Sequence, residues 1–432
     1  ANTPGYHRQE AVLGAGLPTT FAGFQNAGFN GKLGGGVQVE QIKRYTSEFL
    51  NKQYRSQLAE SARWQLASEQ AGQLETILGD TTTNGLLPLM DQFWSSWQQL
   101  SADPTNPSLR ANVLQSGKDL ATAFNQRSSQ LLTTQFDQNR SLDAAVHEIN
   151  SLAQQVADLN GKIIASQGMG LQPNDLLDQR DQMLDRLAEL SGATYRIQEN
   201  GEALVFIQGH SLVTAGKADS LSFDPQNLTG QILWENGETL VPQTGQLRGL
   251  LDVRDQLIPE LKQGLDSLAY GLSTAVNGAH NPDADPTLNF FNPLAASTDA
   301  AALLTVAPGM EDLSKILGAS SSNPGDGGIA LQIANLADQP FDASGETPHD
   351  FYTQQITGLG LFVQNATAKG QASGALTANI GDQRDSLTGV SLDEEAARLI
   401  QYQRGYEAAA RLVTAMDEML DKVINGMGVA GR

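Results

Sequence analysis

Apolar residues in this chain of 432 residues fall mostly three or four positions apart, with one interval in which they alternate. From about Ile42, the positions Ile42, Tyr45, Phe49, Leu58, Ala62, Leu66, Leu74 and Ile77 trace one buried helical stripe, which Gly79-Asp80 ends. A second helix is expected over Leu86 to Leu100, carrying Phe93, Trp94 and Trp97 and stopping before Asp103-Pro104. Pro107 suits the first turn of a third, which runs without interior proline to about Gln167. Such a helix would reach on the order of 90 Å at 1.5 Å rise per residue. In its second part Leu142, Ile149, Val156 and Ile163 recur every seven residues, with Ala145, Leu152 and Leu159 three after the first three, which reads as a coiled-coil seam. Pro173 caps a further helix from Asn174 to Leu190.

After Gly192 the period changes. Tyr195 and Ile197 alternate, then Leu204 and Phe206, and the two runs are joined through Asn200-Gly201, a dipeptide suited to tight hairpins. Asn236-Gly237 follows Ile232-Leu233-Trp234 in the same manner, so a small antiparallel β domain is expected. Helical spacing returns at Leu247, Leu250, Leu257, Leu261, Leu265, Leu268 and Leu272, with Pro259 predicting a kink. Residues 280–346 read as loops around one short strand and one short helix. A helix from about Pro348 to Leu387, with Tyr352, Leu359, Phe362, Leu376 and Ile380 on one side, is weakened by Gly358, Gly360, Gly370 and Gly374. Beyond Gly389, Ser391 and Glu394 form a capping box for the last helix. There Leu392, Leu399, Tyr406, Val413, Leu420 and Met427 repeat every seven residues, with Tyr402, Ala409, Met416 and Val423 beside them. This stripe needs a partner helix, because each fully buried Leu or Val is worth roughly 1.5–3 kcal/mol relative to exposure.

The fold class that follows is mainly α with an inserted β domain (α+β, multidomain): a long-helix bundle from both chain ends plus a small antiparallel β domain. The expected divisions are an irregular amino-terminal arm at 1–41, where Gly31 to Val37 acts as a breaker, a discontinuous long-helix rod at 42–191 and 246–390, the β insertion at 192–245, and a terminal assembly helix at 391–432.

Composition narrows the function. A mass of 46.1 kDa exceeds what one core usually organises. Aromatics are only 6%, which suits helices packed side by side better than a compact catalytic domain. A net charge of −21 would repel phosphate backbones and anionic lipid, so neither nucleic acid nor membrane is an expected partner. Cysteine is absent, which removes disulfides, thiol nucleophiles and thiolate zinc sites together. No segment approaches the roughly 20 apolar residues of a membrane span. No basic-then-apolar leader precedes Ala1, and the chain lacks an initiator Met, so upstream residues are expected to have been removed.

Candidate chemistry is sparse. His7, His147, His210, His280 and His349 are dispersed, with no H-E-x-x-H arrangement. Gly325 to Ala330 loosely fits a dinucleotide glycine pattern, but Pro324 and Ser320 to Ser322 favour a loop. Asp283 and Asp285 begin like a calcium loop, yet Pro286 intrudes and the glycine is missing. The tetrapeptide Asp-Gln-Arg-Asp occurs at Asp178 to Asp181 and at Asp382 to Asp385, where salt-bridged helix surface is the ordinary reading. No catalytic, metal or cofactor-binding residue is assigned, no cofactor is expected, and the chain reads as a non-enzyme.

A resemblance sharpens this reading. The opening Asn2-Thr3-Pro4-Gly5-Tyr6 resembles the signature of flagellar rod, hook and hook-associated proteins. Pro173 to Gln182, containing Asp178-Gln179-Arg180-Asp181, the block Gly245 to Leu251, the doublet Phe290-Phe291, and the tail from Ser391 to Tyr406 resemble, in that order, the FlgK family of the hook–filament junction. The resemblance covers essentially the whole chain. It implies export, unfolded, through the flagellar type III channel without a cleaved signal peptide. It also implies an extracellular place at the junction, in a ring of about eleven copies between hook protein and the neighbouring hook-associated protein. An export chaperone is implied on the last helix, where Leu392, Leu399, Tyr402, Tyr406, Val413, Met416, Leu420 and Met427 form the candidate interface. Two departures stand out. The helix expected upstream of Ala1 is missing, leaving that stripe without its family partner, and Phe291 to Leu304 leaves no room for the further β domain of larger members. The alternatives are another axial protein, either the neighbouring hook-associated protein or a flagellin, and a secreted adhesin or enzyme presenting the β insertion. The last would require a concave polar pocket within residues 193–345.

Overall fold

The computed structural model describes residues 5–15, 37–79, 85–321, 323, 325–341 and 345–426. Asn2, Thr3, Pro4 and Met427 lie outside the described residues, as do Gly31 to Gly36 of the glycine-rich run, Ser322 and Pro324. The chain forms two compact units: unit 1 gathers Ala1–Gln53, Lys162–Gln182 and Ala378–Arg432, and unit 2 gathers Tyr54–Gly161 and Met183–Thr377.

Unit 1 begins with an antiparallel hairpin of β1 (Gln9–Ala15) and β2 (Val37–Arg44), in which Leu13 faces Val39 and Ala11 faces Ile42. A bulge interrupts the register between Val12 and Leu13. The expected irregular arm is thus, over its described residues, a hairpin, and the helix expected from Ile42 starts later, as α1 (Glu48–Leu78). Two sets of contacts move that start. Gln172 Oε1 accepts the Ile42 N–H at 2.9 Å and Asn174 Nδ2 donates to the Ile42 carbonyl at 3.2 Å, which holds residue 42 extended. Ser47 then caps α1, its Oγ accepting from Leu50 N at 3.4 Å and its carbonyl from Asn51 N at 3.0 Å.

Next come α2 (Leu86–Ala102), α3 (Pro107–Gly168) and α4 (Asn174–Ser191), each close to its expected bounds. The β insertion holds a four-stranded sheet in sequential order, β3 (Thr194–Ile197), β4 (Ala203–Ile207), β5 (His210–Thr214) and β6 (Lys217–Ala218). A three-stranded sheet follows, with β8 (Ile232–Trp234) between β7 (Leu221–Ser222) and β9 (Thr239–Leu240). The hairpins through Asn200-Gly201 and Asn236-Gly237 form as expected, but only their glycines have positive φ, at 83° and 84°. The backbone bonds Gly201 N to Gln198 O and Gly237 N to Trp234 O close a turn before each glycine, so these loops are longer than a two-residue turn. The two-residue turns lie elsewhere, at Gln208-Gly209 and Ala215-Gly216, where both residues have positive φ.

The helical return consists of α5 (Gly245–Asp252), a π turn at Val253–Leu257, and α6 (Ile258–His280). Ile258 N–H reaches back to the Val253 carbonyl, one residue further than in an α-helix. That widening sits immediately before Pro259, whose ring would otherwise meet the carbonyl four residues back. The expected kink is therefore a π turn. The described residues of 280–346, after the end of α6, hold α7 (Ala300–Leu303), α8 (Gly328–Ala334), several 3-10 turns and a bridge between Phe291 and Val306, which is more helical than loops around one strand and one helix. The chain ends in α9 (Pro348–Thr388) and α10 (Leu392–Gly426).

Unit 2 has two cores. One joins Leu74 and Ala71 of α1, Phe93 and Trp97 of α2, Phe124 of α3, Leu268 of α6, and Tyr352 and Leu359 of α9. Phe290 and Phe291 are fully buried in it, the Phe290 ring lying 5.3 Å from Trp97 and 5.9 Å from His280. Side chains complete what the Phe291–Val306 bridge begins, in which Phe290 O accepts from Ala307 N and Asn292 N donates to Thr305 O, both at 2.9 Å. Asn277 bonds both the N–H and the carbonyl of Phe291, while His280 Nδ1 lies 2.7 Å from Leu288 O and its Nε2 accepts from Leu317 N at 2.9 Å. The second core packs Leu142, Ile149 and Val156 of α3 with Leu187 of α4 and with Val205, Ile207, Leu212 and Trp234 of the β insertion. That part of the expected coiled-coil seam is covered by α4 and sheet, because the insertion supplies enough apolar surface to replace a second long helix.

Candidate functional site

In contrast to those buried repeats, the stripe on α10 is uncovered. Three acidic residues, Asp393, Glu394 and Glu395, occupy its first turn, where they complement the positive end of the helix dipole. Ser391 Oγ accepts from Glu394 N at 3.4 Å, one half of the expected capping box. The other half does not form, since the Glu394 carboxylate turns to Arg8 instead, at 2.7 Å. Along the helix Leu392, Leu399, Tyr402, Tyr406, Val413, Met416 and Leu420 are all exposed, from 42% for Met416 to 79% for Tyr406. Ile400, Leu412 and Met419 widen the apolar surface. Large hydrophobic side chains are rarely this exposed over about eight turns of one helix unless another chain or segment covers them.

The base of α10 is tied to the hairpin within unit 1. Arg8 N–H donates to Thr388 O at 2.6 Å, at the end of α9, and its guanidinium lies 4.7 Å from the centre of the Tyr45 ring. The Tyr45 hydroxyl bonds Glu10, whose other oxygen lies 3.5 Å from Arg398. The Tyr45 hydroxyl first, then the charges of Arg398, Arg8 and Lys43, hold the Glu10 carboxyl below its usual range.

Beside this joint the charged groups of the opening segment converge on α4. His7 Nδ1 lies 2.7 Å from Asp178 Oδ1 and 3.1 Å from Gly5 O, and His7 N–H donates to Asp178 Oδ2 at 3.3 Å. The Arg44 guanidinium, through Nη2 at 2.9 Å, shares that ring nitrogen with the two oxygens. Arg44 bridges the two carboxylates of the tetrapeptide, Nε to Asp178 at 2.7 Å and Nη2 to Asp181 at 2.6 Å. Burial alone would raise the Asp178 carboxyl, but the His7 bond and the Arg44 charge outweigh it and hold it below the ordinary value. Gly5 stands at φ 74° against Gln182. Thus Gly5 from the opening segment and Asp178 and Asp181 from one face of α4 meet in one cluster, while Tyr6 is exposed and Arg180 is buried. His7, Arg8 and Arg44 belong to the same machinery, and no local pattern distinguishes them.

Comparison with known proteins identifies the family. Residues 71–291 match the family described as "Flagellar hook-associated protein FlgK helical domain", and residues 385–426, which cover α10, match "Flagellar basal body rod FlgEFG protein C-terminal". Flagellar hook-associated protein 1 of Bacillus subtilis is 30% identical over 100% of this chain and 94% of its own length. This chain belongs to the FlgK family of flagellar hook-associated proteins. The Escherichia coli protein of the same description is 25% identical over 98% of the chain and 94% of its own length. The solved flagellar hook junction protein FlgK of Burkholderia pseudomallei shares the fold with a TM-score of 0.69, covering 79% of this chain and 100% of its own at 15% identity.

FlgK membership makes the role structural and flagellar rather than enzymatic, and it puts the chain among the axial components of that organelle. It also gives the motif glycines a physical reading. Gly245 has φ 81° and a Cβ there would stand 2.8 Å from Gly192 N, while a Cβ on Gly249 would stand 2.5 Å from the Arg63 carbonyl. Both let α5 approach its neighbours closely. The glycine pattern at Gly325 to Ala330 serves packing too, since a Cβ on Gly327 would meet Ser101 O of α2 at 2.0 Å. Asp285 accepts the N–H and hydroxyl of Thr287, an ordinary turn, and Asp382 and Asp385 are exposed on α9. Among the described residues no three His, Cys, Asp or Glu side chains gather as a metal site. A half-open groove in unit 2, lined by Ile232, Leu240, Arg248, Arg254 and Asp255, carries charges already engaged: Arg248 pairs with Asp252, and Arg254 with Asp255.

Proposed function

We propose that this chain is the subunit of the ring joining hook to filament, and that α10 makes the helix contacts that build the ring. The observation that carries this reading is the exposed stripe of Leu392, Leu399, Tyr402, Tyr406, Val413, Met416 and Leu420 on a terminal helix. Covering such side chains is worth about 1.5–3 kcal/mol each, so a neighbouring subunit or chain segment gains strongly by packing there. In this reading the partners are further copies of the chain in a ring of about eleven, the hook protein and the neighbouring hook-associated protein. An export chaperone shields the same stripe before assembly, and the chain leaves the cell through the flagellar export channel without a cleaved signal peptide. The acidic β insertion stays outward as a solvated knob. The match of residues 71–291 to the FlgK helical domain favours the junction over other axial positions.

The test is Tyr406→Asp or Leu420→Asp in the native chain, read by electron microscopy and motility. Hooks without filaments and flagellin shed into the medium are expected, with unit 2 still folded. Normal filaments and swimming in both variants would refute the assignment of α10.

A further inference from the structure

The joint between α9 and α10 is crossed by a segment from the other end of the chain, and all the residues concerned lie in unit 1. At the break, Gly389 N–H donates to Asp385 O at 2.6 Å, and a Cβ on Gly389 would stand 2.4 Å from that oxygen. Only glycine fits there without a backbone shift, so the two helices are separated by a short link at residues 389–391. Such a link does not by itself fix the direction of α10.

Arg8 touches both sides of the break. Its backbone N–H satisfies Thr388 O, a carbonyl at the end of α9 that has no partner within its helix. Its guanidinium reaches Glu394 in the first turn of α10, at 2.7 Å. The strand that carries Arg8 is in turn held to β2, because Tyr45 N–H donates to Arg8 O at 3.0 Å and the Arg8 guanidinium faces the Tyr45 ring. Two residues on, Glu10 contacts Arg398, one turn further along α10, and accepts from the Tyr45 hydroxyl. The contacts therefore span two successive turns of α10 from one strand edge.

We infer that Arg8 and Glu10 form a strap across the Gly389 break, which fixes the direction of α10 and couples it to the order of the β1–β2 hairpin. A single exposed ion pair contributes little by itself. The strap combines that pair with a backbone bond, a cation–π contact and a second charged contact, so its parts act together. The hairpin presents Leu13, Val37, Val39 and Ile42 to solvent, and α10 presents its own stripe. With the strap closed, anything that orders the hairpin also biases the angle of α10, and the reverse holds by linkage. The inference rests on these contacts and not on the junction role proposed above.

The absence of cysteine makes the test direct. Spin labels are placed on Ala378→Cys and Gln403→Cys, exposed positions on α9 and α10, in the full chain, and their separation is read by electron–electron double resonance. One narrow distribution is expected for the strapped chain. Arg8→Ala and Glu394→Gln, the latter nearly unchanged in shape, are each expected to add a broad second population, and the double variant is expected to be no broader than Arg8→Ala alone. Unchanged narrow distributions in both single variants, or effects that simply add in the double variant, would overturn the strap.

Discussion

Lowering the pH from 7 to 5 is expected to loosen the larger core of unit 2 through one residue, His280. Its ring is fully buried, with Nδ1 against Leu288 O and Nε2 accepting from Leu317 N, so the neutral tautomer is the one that fits. Burial pushes its pKa down from 6.5 to about 4, against the smaller opposite effect of the Leu288 carbonyl. A depressed folded value means that the unfolded chain binds the proton first. Stability is therefore complete above the unfolded value, falls as pH drops from 6.5 toward 4, and loses nothing further from this group below that. Integrating proton binding across the window gives a loss of about 2 kcal/mol at pH 5 and about 3 kcal/mol at the lower limit. Amide exchange at Leu317, whose N–H is bonded to the ring, reports the opening directly. The unfolding free energy of this core in urea, followed by tryptophan fluorescence, reports its cost. His280→Gln, which keeps a donor and an acceptor but does not titrate, should flatten the dependence between pH 5 and 6.5. A parent chain equally stable at pH 7 and 5, or a variant with the same slope as the parent, would refute the argument.

Other outcomes follow from particular contacts. Gly249→Ala forces a methyl group to within 2.5 Å of the Arg63 carbonyl, so unit 2 should lose about 1–3 kcal/mol in urea unfolding, whereas Gly209→Ala, with open space around it, is limited to the smaller strain of its positive φ. Asp178→Asn leaves Arg44 with Asp181 as its remaining carboxylate, and weakening the charged hydrogen bonds of His7 and Arg44 to residue 178 costs about 1–3 kcal/mol. Amide exchange in β2 should therefore accelerate while the unit 2 cores keep their protection. Because the folded Asp178 value is lowered, its stabilisation is complete above the unfolded carboxylate value and is lost as pH falls through the folded one, so hairpin protection in the parent should persist at pH 5 and fail only in stronger acid.

Much of this architecture was readable from the sequence because it depends on local rules. Proline at Pro107 and Pro173, the three-to-four spacing of Phe93, Trp94 and Trp97, and the change of period after Gly192 all act within a few residues. The structure follows them closely. The β1–β2 hairpin was not legible for the opposite reason. Its strands are separated by more than twenty residues, its register is broken by a bulge, and its extended course at Ile42 depends on Gln172 and Asn174, far along the chain. The cluster of His7, Arg44, Asp178 and Asp181 is invisible for the same reason, since no spacing relates residues 171 apart, as His7 and Asp178 are. The repeats on α3 and α10 make the sharpest contrast. Both show a seven-residue period, yet Leu142, Ile149 and Val156 are covered by α4 and sheet while Leu399, Tyr406 and Leu420 face solvent. Period alone states that a stripe must be covered, not by what.

The account turns on whether the α10 stripe is open in the free chain and closed in the flagellum. Single cysteines at Leu399, Val413 and Leu420, in a chain that otherwise has none, allow the rate of thiol labelling to be measured in both states. Fast labelling at all three in the free chain and strong protection in isolated hook–filament structures is the predicted result. Equal protection in the free chain, or labelling that stays fast after assembly, would contradict it.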